Sequence, residues 1–113
     1  MTLQELGTIM QTDLNVKIII LNNQFLGMVR QWQELFNDRR YSFVDIQSPD
    51  FVELANSYRI AGQKVTERST LKSALKAMLS HKGAYLLEIM VGKENNVFPM
   101  VPQGCSVSEI RLS

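Results

Sequence analysis

The order of apolar and polar positions along the chain predicts alternating helices and strands. Apolar residues recur at helical spacing in four stretches. Two nearly continuous apolar runs and a short strand candidate around Val65 alternate with them. The predicted helices cover 2–12 and 27–37, a third begins at 48–50, and a fourth lies around 71–79; the predicted strands are 16–21, 62–66 and 84–91. This alternation indicates an α/β fold, a parallel sheet with flanking helices.

Three helix ends carry local signals. Thr2 and Glu5 have the spacing of a capping box, and Ser48 followed by Pro49 predicts a helix that starts with a Ser cap and Pro in its first turn. The sequence His-Lys-Gly at 81–83 predicts cations in a last helical turn and a glycine stop.

The first strand and the loop after it are the place to look for chemistry. The β-branched run at 16–21 predicts a strand buried on both faces, and parallel sheets bind ligands beyond the carboxyl ends of their strands. Asn22 and Asn23 follow this run, and amide oxygens suit Mg²⁺. On the dipeptide alone, an ordinary strand-to-helix turn is the better explanation, since Asn favours turns and tolerates left-handed backbone. Similarly, Trp32 fits either a ligand wall or the core.

Composition excludes several function classes. The 113 residues carry 12 Lys or Arg and 11 Asp or Glu, and the net charge of +1 argues against a general nucleic-acid binder. Because the chain has one cysteine, Cys105, and one histidine, it cannot form an internal disulfide framework or a Cys/His metal cluster. No apolar run approaches the ~20 residues of a membrane span, and no signal peptide is visible. We therefore expect a cytoplasmic protein without a membrane partner.

The stretch 16–33 resembles the large, catalytic subunit of acetolactate synthase (acetohydroxyacid synthase), a family that uses thiamine diphosphate. The resemblance runs the whole length and includes Leu-Gly-Met-Val-Arg-Gln-Trp at 26–32, Arg-Tyr-Ser-Phe at 40–43, Ser-Pro-Asp-Phe at 48–51, Leu-Leu-Glu at 86–88 and Asn-Val-Phe-Pro-Met-Val-Pro at 96–102. The family's cofactor motif begins with Gly-Asp-Gly and closes with Asn-Asn, and only the closing half is present, at 22–23. We interpret 1–113 as the C-terminal portion of a thiamine-diphosphate-binding domain, with a loop-rich tail at 92–113.

This resemblance implies a cofactor site on five residues: Asn23, Phe25, Leu26, Gly27 and Met28. Asn23 matches a side-chain ligand of Mg²⁺, and Phe25 matches a residue whose backbone carbonyl binds the metal. Leu26 and Gly27 match positions whose backbone meets the diphosphate. Since thiamine diphosphate carries the carbanion chemistry, the protein is expected to anchor and orient it.

A substrate and herbicide channel is also implied, with Met28, Trp32 and Gln103 along it. The implied reaction decarboxylates pyruvate and condenses the product with pyruvate or 2-oxobutyrate, in branched-chain amino-acid biosynthesis. The parent enzyme of the family also binds FAD, forms a homodimer or tetramer, and in some cases takes a small regulatory subunit.

Two alternatives remain beside this interpretation. The chain could derive from another thiamine-diphosphate-dependent carboligase or decarboxylase, against which the segment 26–32 argues. It could also be a non-catalytic truncated product, which the missing Gly-Asp-Gly favours. We expect the isolated chain to be inactive, and no catalytic residue is assigned to it.

Overall fold

The computed structural model describes residues 2–112 and confirms the α/β prediction. Its elements are α1 (Glu5–Thr12), β1 (Lys17–Asn22), α2 (Gly27–Phe36), α3 (Phe51–Ser57), β2 (Ala61–Val65), α4 (Arg68–Ser80), β3 (Tyr85–Met90) and a short 3-10 helix, Val107–Glu109. The chain divides into two compact units. The first comprises the residues up to Asn23 together with Gln47–Val91, and the second comprises Gln24–Ile46 together with the residues from Gly92 onward.

The first unit is built on a three-stranded parallel sheet with strand order β1-β3-β2. The central strand β3 divides its side chains between two apolar clusters. Leu87 packs with α4 and β2 on one face, and Leu86 packs with α1, α3 and β1 on the other. Because both leucines are buried, β3 supplies the middle of the core.

The expectation that the first strand is buried on both faces is only half right. Ile18 and Ile20 pack against the Leu86 cluster, but Ile19 is 48% exposed and Leu21 is 66% exposed. The cause is topological, since β1 lies at the edge of the sheet and α4 packs on β2 and β3. Within the described residues, β1 therefore has one packed face.

Two of the predicted helix starts are wrong in detail. No side chain caps α1; the carboxylate of Glu5 accepts a hydrogen bond from the Thr8 hydroxyl at 3.2 Å instead of closing a capping box with Thr2. For α3 the cap is Asp50, whose Oδ1 accepts from the backbone N–H groups of Val52 and Glu53, each at 2.9 Å. A carboxylate is a stronger acceptor than a hydroxyl and also complements the positive end of the helix, so Asp50 takes the place predicted for Ser48 and Pro49.

The end of α4 also differs from the prediction. The helix stops at Ser80, so His81 is its C-cap and Lys82 lies beyond it. Gly83 adopts a φ of +95°, as expected of a glycine stop. The cation that meets the chain here is Lys17 of β1, whose Nζ donates to the carbonyls of His81 at 2.8 Å and Gly83 at 2.5 Å.

In the described residues 2–112, no helix is both long and apolar enough to cross a membrane.

Candidate functional site

At the carboxyl end of β1, in the first unit, a buried polar pair occupies an apolar sheet. Asn22 is the last residue of β1, and its Nδ2 donates to Oε1 of Glu88 at 2.7 Å. Glu88 lies on central strand β3 with 1% of its surface exposed. Its other oxygen, Oε2, is 3.4 Å from Nζ of the partly exposed Lys64 and forms no hydrogen bond in the described structure. This buried carboxyl group therefore holds the Asn22 side chain at the strand end.

Asn22 also holds the strand end through its backbone. Its carbonyl accepts from the N–H of Val91 at 3.0 Å, which continues the pairing of β1 with β3 up to the turn. The half-buried Asn23 follows, and the left-handed residue of this turn is Gln24, with a φ of +58°. The left-handed conformation that was expected of Asn22 or Asn23 is therefore adopted by the next residue, Gln24.

In the second unit, the segment after Gln24 is held in extended form. Phe25 and Asp45 form an antiparallel bridge, closed by bonds from Leu26 N–H to the Val44 carbonyl and from Ile46 N–H to the Gln24 carbonyl, both 2.9 Å. These bonds use the neighbours of Phe25, so its own N–H and carbonyl point away from 44–46. The backbone N–H of Leu26 is engaged within the protein.

Helix α2 begins immediately after this bridge. It starts at Gly27, and no side chain caps it. The backbone N–H groups of a first helical turn have no acceptor within the helix and carry the positive end of its dipole, which suits an anion such as a phosphate. Met28 is 53% exposed at this end.

A buried guanidinium organises the interior of the second unit. Arg30 bonds to Glu94 at 2.7 Å and Glu34 at 3.3 Å, and its guanidinium lies 4.6 Å from the ring centre of Tyr41 and 5.7 Å from that of Phe25. Burial alone lowers the pKa of Arg30, but the hydrogen bond and charge of Glu94, with smaller contributions from Tyr41 and Glu34, raise it above its ordinary value. Arg30 therefore remains a cation that ties α2 to the segments around 41 and 94.

The implied channel residues lie on α2 and in the tail. Trp32 is partly buried, and its ring centre lies 5.0 Å from that of Phe36, one turn further along the helix, with the two rings tilted by 42°. Gln103 is exposed in a turn closed by a bond from Cys105 N–H to the Pro102 carbonyl at 3.1 Å. Gly104 provides the positive φ of +82° that a type II turn requires.

The implied metal ligands fit Mg²⁺ in kind. Asn23 offers an amide oxygen and Phe25 a backbone carbonyl, both hard oxygen donors. Within the described residues there is no group of three or more His, Cys, Asp or Glu that could hold a metal. Since Mg²⁺ usually takes one or two protein groups together with phosphate oxygens, a short donor set suits it.

Sequence reasoning gave no site role to Glu88, Arg30 or Gln31, the three most buried polar or charged side chains beside Asn22. The signal for Glu88 was available, because a single carboxylate interrupts an otherwise apolar strand. Arg30 and Gln31 carried no comparable signal, because helices commonly display both residue types to solvent.

Comparison with known proteins places the chain among thiamine-dependent enzymes. Residues 1–89 match the family described as thiamine pyrophosphate enzyme, C-terminal TPP binding domain. The chain is 47% identical over 112 residues to the acetolactate synthase large subunit of Cyanidium caldarium, covering 97% of this chain and 19% of that protein. It is 46% identical over 111 residues to the acetolactate synthase isozyme 2 large subunit of Escherichia coli K12, covering 97% of this chain and 20% of that protein.

Solved structures agree on the fold. A thiamine diphosphate-dependent 4-hydroxybenzoylformate decarboxylase of Rhodococcus jostii RHA1 is 29% identical with a TM-score of 0.70, covering 80% of this chain and 17% of that one. Benzoylformate decarboxylase from Polynucleobacter necessarius is 25% identical with a TM-score of 0.72, covering 85% of this chain and 18% of that one. The chain thus spans about a fifth of the length of these relatives. It belongs to the thiamine pyrophosphate enzyme family, as a C-terminal TPP-binding domain.

Proposed function

We propose that this chain is the C-terminal part of the catalytic subunit of an acetolactate synthase. The observation that carries the proposal is the identity of 46–47% to acetolactate synthase large subunits, which extends over 97% of the chain. The reaction proposed is decarboxylation of pyruvate, followed by condensation with pyruvate or 2-oxobutyrate. The proposed role belongs to the longer enzyme, since a site on this chain supplies only part of the cofactor contacts.

In this proposal residues 22–28 hold the diphosphate end of the cofactor. Asn23 would hold Mg²⁺ through its amide oxygen and Phe25 through its backbone carbonyl. The backbone N–H groups of Gly27 and the start of α2 would meet the diphosphate, whereas the Leu26 N–H is already bonded to the Val44 carbonyl. Three observations support this. The Phe25 carbonyl points away from 44–46, no side chain caps α2, and the net charge of +1 fits an anion that is held by Mg²⁺ and backbone dipoles. When bound, thiamine diphosphate supplies the carbanion chemistry.

The proposed channel is carried by Met28, Trp32 and Gln103. Met28 is an exposed, adaptable apolar side chain at the cofactor end of α2, and Trp32 presents a flat ring one turn further along. These side chains need not act as acids or bases; they shape the space for the second 2-oxo acid. We further propose, from the resemblance alone, FAD elsewhere in the longer enzyme, a homodimer or tetramer, an optional small regulatory subunit and a cytoplasmic location.

The proposal is tested by a chimera. The segment of the Escherichia coli isozyme 2 large subunit that aligns with this chain is replaced by these 113 residues, and the purified chimera is assayed for acetolactate from pyruvate with thiamine diphosphate and Mg²⁺. We expect a working enzyme. Asn23→Ala should weaken the apparent affinity for Mg²⁺ by on the order of tenfold, because loss of one hydrogen-bonding or ligand group costs roughly 1–2 kcal/mol.

The matched control is Asn56→Ala, an exposed asparagine on α3, which should leave the affinity for Mg²⁺ unchanged. A folded chimera without acetolactate synthase activity contradicts the proposal. If that chimera instead decarboxylates benzoylformate, the decarboxylase alternative replaces it. If it is folded but inactive on both substrates, the non-catalytic alternative stands.

A further inference from the structure

A fully buried amide ties the tail to α2 in the second unit. Gln31 is 1% exposed, and its Oε1 accepts from the Val97 N–H at 2.8 Å while its Nε2 donates to the Val97 carbonyl at 2.9 Å. The same Nε2 lies 3.2 Å from Sδ of Met100. One side chain thus pairs with both backbone groups of a single residue, as a neighbouring strand would. No helix or strand of the described residues spans 92–99. This amide anchors the tail at Val97, and Arg30 anchors it at Lys93 and Glu94.

The tail then closes into a loop at Met100. Met100 and Arg111 exchange two backbone hydrogen bonds, 3.0 Å and 2.8 Å, so 101–110 form a loop with a closed base. The guanidinium of Arg111 lies 5.0 Å from the ring centre of Phe36, the residue whose ring lies beside that of Trp32. Both sides of the loop base are therefore held by α2, through Gln31 at Met100 and through Phe36 at Arg111.

We propose that Gln31 is a positioning residue that sets where the loop 101–110, which carries Gln103, lies relative to Trp32 on α2. This deepens and rests on the proposed function, in which Trp32 and Gln103 line the channel for the second 2-oxo acid. Gln31 itself faces the tail backbone and touches neither cofactor nor substrate in this arrangement. By setting the position of this loop, Gln31 influences whether the enzyme takes pyruvate or 2-oxobutyrate as the second 2-oxo acid.

The chain provides a matched control two residues away. Gln33 makes the same kind of amide pair with Ser42, donating to its carbonyl and accepting from its N–H, both at 3.0 Å. Ser42 belongs to the segment after α2 and not to the tail. Gln31→Met and Gln33→Met remove amides of equal size that make the same pair of bonds from one helix, and only the first removes the anchor at Val97; the Gln33 pair is the more exposed of the two.

The first measurement is amide hydrogen exchange by NMR on the full 113-residue chain. In Gln31→Met the protection of the Val97 amide should fall by roughly tenfold or more, because a buried pair of hydrogen bonds is lost, while the Ser42 amide keeps its protection. Gln33→Met should give the reverse. Equal protection of Val97 in wild type and Gln31→Met overturns the proposal, whatever the activity of any chimera.

The second measurement is competition between pyruvate and 2-oxobutyrate in the chimera. The two acceptors differ by one methylene, which a packed pocket discriminates by roughly tenfold or more, so Gln31→Met should change the product ratio by about threefold or more, with Gln33→Met as the unchanged control. Should Gln31→Met fail to fold, Val97→Pro removes the same N–H from the tail side, where the Val97 side chain is 61% exposed.

The two failures are distinguishable. An inactive wild-type chimera contradicts the proposed function and leaves the exchange result to decide the anchoring. An active chimera whose product ratio is the same in wild type, Gln31→Met and Val97→Pro overturns the positioning role alone. A general loss of turnover with an unchanged ratio also overturns it, because that is the effect of a purely structural residue.

Discussion

Removal of the small Asn22 side chain should strongly destabilise the first unit. Asn22→Ala removes the 2.7 Å hydrogen bond to a carboxylate that is 1% exposed, and the remaining neighbour of Glu88, Lys64, is 42% exposed. A hydrogen bond to a charged group contributes about 1.5–3 kcal/mol. The half-exposed Lys64 cannot compensate, because such pairs contribute at most about 1 kcal/mol. We therefore expect Asn22→Ala to lower the free energy of unfolding by about 2–3 kcal/mol.

The assay is urea unfolding of the full chain, followed by circular dichroism. At roughly 4–8 °C per kcal/mol for a domain of this size, the same change should lower the melting temperature by about 10 °C or more. Asn56→Ala on the exposed face of α3 is the matched control and should change stability by less than about 0.5 kcal/mol.

A double-mutant cycle isolates the pair. In Glu88→Gln, the amide oxygen can still accept from Asn22, and the cost of burying a charge disappears, so this variant alone should be close to neutral. In the Glu88→Gln variant, Asn22→Ala should lower the free energy of unfolding by about 1 kcal/mol less than it does in the wild-type chain. This difference is the coupling between the two side chains, and it is large enough to measure. Additive effects would refute the reasoning, because they would mean that Asn22 does not act through the charge of Glu88.

Four further predictions concern the site and its surroundings. The isolated chain should form no acetolactate from pyruvate with thiamine diphosphate and Mg²⁺, and turnover by the purified chain would contradict this. In the chimera, Trp32→Leu should weaken sulfonylurea inhibition more than it lowers activity, and an unchanged inhibition curve counts against its place in the channel. At the left-handed Gln24, Gln24→Val should destabilise the chain by about 1 kcal/mol or more, whereas Gln24→Asn should be neutral; equal urea midpoints would rule out a backbone cause. Because the pKa of Arg30 is raised above its ordinary value, its stabilisation is complete below the unfolded-state pKa and is lost only as the pH rises through the folded-state pKa. The Arg30 side chain should therefore stay charged from pH 6 to 9, and a stability difference between wild type and Arg30→Met that follows titration of the guanidinium in that range would contradict this.

The fold was largely predictable because its signals are local. Apolar periodicity located all four helices, and apolar runs located β1 and β3. The strand β2 was predicted only as a short candidate around Val65, and parallel pairing followed from the alternation of strands and helices. The helix starts were less predictable, because several capping residues compete within a few positions. At α3 the competition between Ser48 and Asp50 was decided by the carboxylate, which accepts two backbone N–H groups at once.

The candidate site was also predictable only where its signals are local. The turn after β1 was found from two adjacent asparagines, but its left-handed residue is Gln24, for which propensity gives little warning. The contact between Asn22 and Glu88 joins residues 66 positions apart, and no local pattern encodes that separation. The sequence does show that Glu88 interrupts an apolar strand. A buried carboxylate needs a polar partner, so the existence of a partner could be predicted although its identity could not.

Helix α2 carries two glutamines whose different partners cannot be predicted from the sequence. Gln31 and Gln33 have the same chemistry, and each pairs with both backbone groups of one residue. Their positions differ by two residues, about 200° around a helix, so they hold different segments, the tail at Val97 and the loop at Ser42. Helical spacing predicts that Gln31 and Trp32 lie on the same face of α2. It does not predict that the Gln31 amide pairs with the backbone of Val97 as a neighbouring strand would. Since Trp32 follows Gln31 directly, the tail anchor and the proposed channel share one turn of α2.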